Sequence, residues 1–274
     1  NLKKIIELIQ GYDIEAFLIG GYVRDLILKR ESKDIDFLTI GSPNKLVEFL
    51  SKKIKNSNYT IYKNYGTALL KVGVYNFEFV GSRKESYVEK SRNPIVSDGT
   101  FFDDIKRRDF TINSIAVSLD KKNFGLIIDS FNGNDDLKNK IIKTCSKPNL
   151  TFSDDPLRMI RAIRFASQLN FDIESLTFKG IVENSTRISI LSYNRVSDEL
   201  NKIIMSDRPS YGFKLLHTSG ILKIIFPEMN NLHGKEKINN HTHKDNFFHT
   251  IEVLDNVAKV SYSLWLRWAA ILHD

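Results

Sequence analysis

The sequence predicts an α+β chain: a head of mixed β-sheet with helices, followed by all-α segments. Three observations carry this. Short apolar runs with an alternating pattern recur between residues 16 and 128, bounded by glycine- and asparagine-containing turns. From about Leu137 the texture changes to almost continuous helix, with apolar residues three and four apart. The stretch from Leu18 to Ile40, LIGGYVRDLILKRESKDIDFLTI, reads as strand, glycine break, helix and strand, and its charged residues gather at the junctions.

A chain of 274 residues has room for two or three domains, and 42% hydrophobic with 27% charged residues is ordinary for a soluble globular protein. No apolar run approaches membrane-spanning length and no signal segment opens the chain, so no membrane partner is expected. The chain opens on Asn1 rather than Met, so trimmed upstream residues are expected. A single cysteine, Cys145, excludes an internal disulfide and agrees with a reducing compartment, hence a cytoplasmic location. The net charge of +7 favours a polyanionic partner, nucleic acid first, although a lysine excess also serves solubility. Nothing in the sequence speaks to oligomeric state.

Leu2, Ile5, Ile6 and Ile9 mark an opening amphipathic helix ended by Gly11. Ala16 to Ile19 is a buried strand, broken by Gly20 and Gly21, and Tyr22 to Lys29 is a helix with Val23, Leu26 and Ile27 on one face. Glycines between strand and helix let backbone N–H groups approach an anion, and the helix N-terminus adds favourable partial charge. Arg24 lies in that first turn. The next strand, Asp34 to Ile40, sends Asp34 and Asp36 to one face and Ile35 and Phe37 to the other. Two carboxylates side by side repel unless a cation separates them, and Mg²⁺ suits such oxygen ligands. A tight turn and a solvated edge are the ordinary readings of each feature. Together, a phosphate cradle beside paired carboxylates points to metal-assisted phosphoryl or nucleotidyl transfer.

Pro43 starts a helix with Leu46, Val47, Leu50 and Ile54 inward, and strands follow at 59–62, 68–72 and 75–80. In the last of these Glu78 faces away from Phe77 and Phe79, either as a third carboxylate or as a plain surface position. Residues 82–104 read as a long mobile loop. Asp109 then caps a helix with Phe110, Ile112, Ile115 and Ala116 at helical spacing; the functional alternative is that Arg108 and Asp109 hold a sugar or phosphate. A strand at 126–128 leads into the Asn132-Gly133 turn.

In the helical half, Pro156 opens a helix preceded by Asp154 and Asp155, with Leu157, Ile160, Ile163, Ala166 and Leu169 as its core face. Arg158, Arg161 and Arg164 recur every third residue along another face, as a solvated row or a ligand contact. Further helices are expected at 178–183, 196–205, 211–218, 248–260 and 264–272, with Pro209, Gly220 and Pro227 at the joints. His241, His243, His249 and His273 fall in the last segment, where His249 with His273 and Asp274 is a candidate metal set or an ordinary helix end.

At these residues the chain resembles the class II tRNA nucleotidyltransferases, the CCA-adding enzymes, and the related bacterial poly(A) polymerases. LIGGYVRD with DID is similar to the family's first motif, RRDFTIN to its second and DSFNGNDDL to its third. DDPLR stands where the family has Glu-Asp-x-x-Arg, so Asp154 replaces a glutamate, and RVSDE resembles the fifth motif. The resemblance implies a nucleotidyltransferase head over 1–136, a helical neck over 137–205, and a body over 206–274 ending in the start of an HD-type module. It further implies that Asp34 and Asp36 hold two Mg²⁺ ions, and that Gly20, Gly21, Arg24, Arg161 and Arg164 hold the triphosphate. Arg108, Asp109 and Asn113 are implied at the ribose, Asp155 and Arg158 at the base, and Arg195 and Glu199 as support for the base-reading helix. His249, His273 and Asp274 match the first HD metal ligands; the later aspartate and the family's tRNA-binding tail would lie beyond Asp274, so a truncated chain is expected. The implied reaction adds C and/or A to the 3′ end of tRNA from CTP and ATP, without a nucleic-acid template. A poly(A) polymerase, or an HD-type phosphohydrolase with a degenerate head, are the alternatives.

The base assignment has its own chemistry. An Asp accepts from an amino group and an Arg donates to a ring nitrogen. Cytosine and adenine both present that donor beside that acceptor, whereas uracil and guanine present the reverse.

Overall fold

The computed structural model describes residues 2–62, 66–86, 95–234, 237–238, 241–242 and 245–273. The chain forms two compact units, Asn1–Asn139 and Lys140–Asp274.

The first unit opens with α1 (Leu2–Gln10), which buries Ile5 and Ile9 and ends where Gly11 N–H returns to the carbonyls of Glu7 and Leu8. Then come β1 (Ala16–Ile19), α2 (Gly21–Ile27), β2 (Asp34–Thr39), α3 (Asn44–Lys53), β3 (Ser57–Tyr62), β4 (Thr67–Val72) and β5 (Tyr75–Gly81). After them the chain makes β6 (Arg83–Ser86), β7 (Ile95–Asp98), α4 (Phe101–Lys106), a 3₁₀ turn (Thr111–Asn113), β8 (Ala116–Ser118), β9 (Ile127–Ile128) and α5 (Gly133–Asn139). Seven strands form one sheet in the order β3-β4-β5-β2-β1-β8-β9. The β2–β5 pair is parallel and its neighbours are antiparallel.

Alternation then fixes the two faces. Ile35, Phe37, Phe77 and Phe79 are buried on one, with Phe37 and Phe79 stacked at 4.5 Å between ring centroids. On the other, Phe17 pairs with Leu38 and Ile19 with Asp36. Phe17, Ile19 and Leu38 are buried there with Ile105 of α4, and Phe101 closes over them. The carboxylates of β2 therefore share a face with the core that α4 covers.

Two local expectations fail. Of residues 82–104, expected as a long mobile loop, the described ones hold regular structure: β6 pairs antiparallel with β7, from Arg83 opposite Asp98 to Ser86 opposite Ile95, and α4 follows with a Thr100–Asp103 capping box, while residues 87–94 lie outside the described residues. Alternating polar residues on a two-stranded ribbon give no apolar period, so the pattern hid the strands. The helix expected from Phe110 is the 3₁₀ turn and then β8. Phe110, Ile112, Ile115 and Ala116 are all fully buried, and so is Ser114 between them. A segment buried all round loses the one-sided spacing that marks an amphipathic helix.

The second unit begins with β10 (Ile141–Ile142), α6 (Pro148–Asp154), α7 (Leu157–Leu169), β11 (Asp172–Ile173) and α8 (Ser175–Asn184). After a 3₁₀ segment (Ser185–Ile190) come α9 (Tyr193–Ile204), α10 (Pro209–Thr218), α11 (Leu222–Ile225) and α12 (Pro227–Asn231). The short strands β12 (Lys237–Ile238) and β13 (His241–Thr242) precede α13 (Asn246–Val260) and α14 (Leu264–Ile271). The expected helices are present, and the parallel β10–β11 pair is an addition. Asn170 in the left-handed conformation ends α7 at φ 55°. Arg267 is 1% exposed and donates to four carbonyls, those of Ile204, Ser206, Ala258 and Ser261. His217 stacks on His233 at 4.3 Å and packs on Phe247, with Asp245 3.8 Å from His233. Partial burial, then the neighbouring His233, hold the His217 imidazole below its ordinary pKa against the opposing pull of Asp245.

Candidate active site

The site in the first unit is built where β1 stops. Gly20 takes φ 75° and ψ −142°, a region open to glycine alone. A Cβ there would lie 2.8 Å from Asp36 Oδ2 and 3.3 Å from Arg108 Nη1. The break thus turns the chain into α2 and lets a carboxylate and a guanidinium close in on bare backbone. Gly21 N–H donates to Asp36, so the start of α2 already holds one anionic group.

Asp34 and Asp36 sit on one face of β2, the first exposed and the second half-buried. Asn76 Nδ2 donates to Asp34 Oδ1 at 2.8 Å and fixes its rotamer. Asp36 lies beside Glu78 in the parallel register. Burial raises the Asp36 carboxyl above the usual carboxylate range and Asp34 pushes the same way, while Arg108 and Arg24 oppose. Glu78 is raised too, by partial burial of its carboxyl, then by Asp36 and Asp34. Carboxylates crowded in this way are relieved by a hard cation among them. Among the described residues no group of three or more His, Cys, Asp or Glu stands at metal-holding spacing. Two carboxylates with phosphate and water oxygens completing the shell is a usual Mg²⁺ arrangement, so Asp34 and Asp36 fit that ion and Glu78 is a neighbour.

The arginines beside them are held from below. Asp104, fully buried, takes Arg107 on Oδ1 and Arg108 on Oδ2, the latter at 3.1 and 3.2 Å. Their spacing from Asp104, three and four residues, is that of one helix face. Arg24 is 9% exposed and forked onto Asp25 through Nε and Nη2, both at 2.9 Å. Its Nη1 donates to Asn113 Oδ1 at 2.9 Å, and Asn113 Nδ2 donates to Asp109 Oδ1 at 3.1 Å. Asp109 caps no helix; it accepts from Phe110 N–H at 2.9 Å.

The third motif is scaffold. Asp129 accepts from the N–H groups of Gly133 and Asn134, both at 2.8 Å, capping α5. A Cβ on Gly133 would fall 2.2 Å from Thr111 O, and Thr111 Oγ1 donates to Asp136 at 2.6 Å. One glycine and one acid therefore lock the 3₁₀ turn that carries Asn113. Sequence reasoning missed Asp104, Asn76 and Thr111; the Asp-x-x-Arg-Arg spacing was the readable signal for the first.

In the second unit, Asp155 is a cap at the mouth of α7: its Oδ1 accepts from Leu157 N–H at 3.1 Å. Arg158 lies on the first turn of α7 and, like Arg161, is half-buried. The three arginines do not form one row. A step of three residues falls short of a full turn by about 60°, so the row drifts around the helix. Arg164 ends inside, 7% exposed, 3.2 Å from Glu199 of α9 and over the Phe165 ring at 4.1 Å. Lys202 shares Glu199 at 3.0 Å. Glu199 thus ties α9 to α7, and Arg195 lies one turn earlier on α9, half-buried. His249 and His273 come together at 5.6 Å between ring centroids, with His273 Nδ1 2.9 Å from Ala270 O. His243 and Asp274 lie outside the described residues, and of His241 only the backbone is described.

Comparison with known proteins follows the same division. A model of the poly A polymerase head domain matches residues 16–143. A second, described as the probable RNA and SrmB-binding site of polymerase A, matches residues 170–232. The CCA-adding enzyme of Geobacillus sp. (strain WCH70) is 35% identical over 219 residues, 79% of this chain and 52% of that protein. The A-adding tRNA nucleotidyltransferase of Aquifex aeolicus (strain VF5) is 34% identical over 198 residues, 71% of this chain and 24% of that one. This chain spans about half the length of the CCA-adding relatives it matches. A solved tRNA nucleotidyltransferase, complexed with a primer tRNA and an incoming ATP analog, superposes with a TM-score of 0.76 at 25% identity, over 98% of this chain and 75% of that one. Among the described residues no helix is long and apolar enough to cross a membrane. With both family models matched in order and the head motifs assembled in one place, residues 16–143 belong to the poly A polymerase head-domain family, and the chain as a whole is similar to the CCA-adding enzymes.

Proposed function

We propose that this chain is the nucleotidyl-transferring part of an enzyme that adds C and/or A to the 3′ end of tRNA, using CTP and ATP. The observation that carries this is the Asp34–Asp36 face beside Gly20, with Arg108 and the Arg24–Asn113–Asp109 chain around it. Asp34 and Asp36 would hold Mg²⁺, which supplies charge neutralisation at the α-phosphate and activation of the attacking 3′-hydroxyl. The turn at Gly20 and the start of α2 would receive phosphate oxygens, while Gly21 N–H stays on Asp36 and orients that carboxylate. Arg108, steadied by Asp104, sits next to Asp36 and adds positive charge beside the carboxylate pair. Arg108 and Asp109 are assigned the ribose. Asp155 and Arg158 are assigned the base, with Asp155 keeping its capping bond, and Glu199 holds α9 against α7.

An A-adding enzyme is a second reading, favoured by the Aquifex relative. The test incubates the chain with a tRNA lacking CCA, supplies each nucleoside triphosphate singly and together with Mg²⁺, and sequences the 3′ ends. Ends in CCA support the full reaction, and A added only to tRNA already ending in CC supports the second reading. Long A tracts would replace both with a poly(A) polymerase. No extension beyond that of Asp36→Ala would overturn the assignment.

A further inference from the structure

The hydrogen-bonded chain Arg24–Asn113–Asp109 joins the helix after the glycine pair to the segment assigned to the sugar, and chemistry fixes its polarity. A guanidinium only donates, so Asn113 must turn Oδ1 to Arg24 Nη1, at 2.9 Å. The amide then presents Nδ2 to Asp109 Oδ1, at 3.1 Å. That oxygen also accepts from Phe110 N–H, so two donors orient the carboxylate. Arg24, Asn113 and Asp109 are all buried, and Arg24 is itself clamped by Asp25.

We propose that Asn113 is a positioning residue: it transmits the seat of Arg24 to Asp109, so that preference for ribose over deoxyribose depends on Asn113 without its touching the sugar. This rests on the reading of Arg108 and Asp109 as the ribose-sensing groups. Both ends of the Asn113 amide already have protein partners, and the residue is 6% exposed. An aspartate there would set oxygen against Asp109 Oδ1. An alanine would take one donor from that oxygen and the Asn113 amide oxygen from Arg24 Nη1. Arg24→Lys attacks the relay from the far end, since an ammonium keeps the charge but loses the fork.

The test is equilibrium binding of ATP and 2′-deoxy-ATP to the whole chain by calorimetry, with circular dichroism to check folding. The readout is the ratio of the two dissociation constants. The wild type is expected to prefer ATP, and Asn113→Ala and Asn113→Asp to lower that preference by about tenfold, the effect of one hydrogen bond to a charged group. Arg24→Lys is expected to weaken both nucleotides and to lower the ratio as well. An unchanged ratio in folded Asn113 variants overturns the inference. So does a ratio lowered by Asn113→Ala but untouched by Arg24→Lys, which would make Asn113 a direct sugar contact. If the Asn113 variants fail to fold, the Arg24→Lys ratio decides alone. A wild type that binds neither nucleotide, or both equally, overturns the ribose-sensing reading and this inference with it.

Discussion

Adding one methyl group at Gly20 should damage both stability and chemistry, in amounts that can be separated. The backbone there, φ 75° and ψ −142°, costs a non-glycine residue about 1–3 kcal/mol. The new Cβ would lie 2.8 Å from Asp36 Oδ2. Asp36 is fixed by β2 and must swing off its rotamer to make room, which adds about 0.5–1.5 kcal/mol. Gly20→Ala is therefore expected to lose about 2–4 kcal/mol in urea unfolding, the sum of the strain and the steric part. A carboxylate moved by a fraction of an ångström from the metal position should also slow nucleotide addition by about tenfold or more. The steric part can be isolated in a double-mutant cycle. In an Asp36→Ala background the clash with the carboxylate is gone, and Gly20→Ala should cost the backbone term and a small displacement of the Arg108 side chain, a coupling of about 1 kcal/mol. Equal cost in both backgrounds would refute the close approach, and unchanged stability in either would refute the conformational argument.

Two other outcomes are open to measurement. The depressed His217 pKa means that the folded chain resists a proton which the unfolded chain accepts below the ordinary histidine value of 6.5. Stability of the second unit should hold above that value and fall as the pH drops below it; His217→Phe, keeping the ring against His233 and Phe247, should flatten thermal melts between pH 5 and 7, and an unchanged slope would place the titration elsewhere. Replacing Asp155 by Asn keeps an oxygen for the Leu157 cap but offers an NH₂ to a base carbonyl, so nucleotide use should move towards UTP by about tenfold at unchanged melting temperature. Competition between CTP and UTP measures this, and unaltered preference would leave Asp155 a cap alone.

Much of the head was legible because strand alternation and paired carboxylates are local patterns. The Asp34–Asp36 face, the Gly20 break and the strands from residue 57 to 81 follow from spacing of two and from glycine. The supports were not legible, because they join residues far apart in the chain. Nothing near Thr111 announces that Asp136 and Gly133 will close on it, and nothing near Asp34 points to Asn76. Arg164 shows the other limit. Its spacing from Arg158 and Arg161 suggested a shared face, but the helical period carries it into the interior, where Glu199 meets it.

Arg267 bears on how the protein can be cut. Its guanidinium occupies the ends of α9 and α13, where carbonyls lack helical partners, and so acts as a rivet between three helices. The carbonyls of Ile204 and Ser206 fall on either side of the 205/206 position at which a neck would be parted from a body. Expressing residues 137–205 alone would strip α9 of that fastening and bare the buried faces of Ile203 and Ile204. A fragment intended to keep α7 and α9 in working order should therefore run through α14.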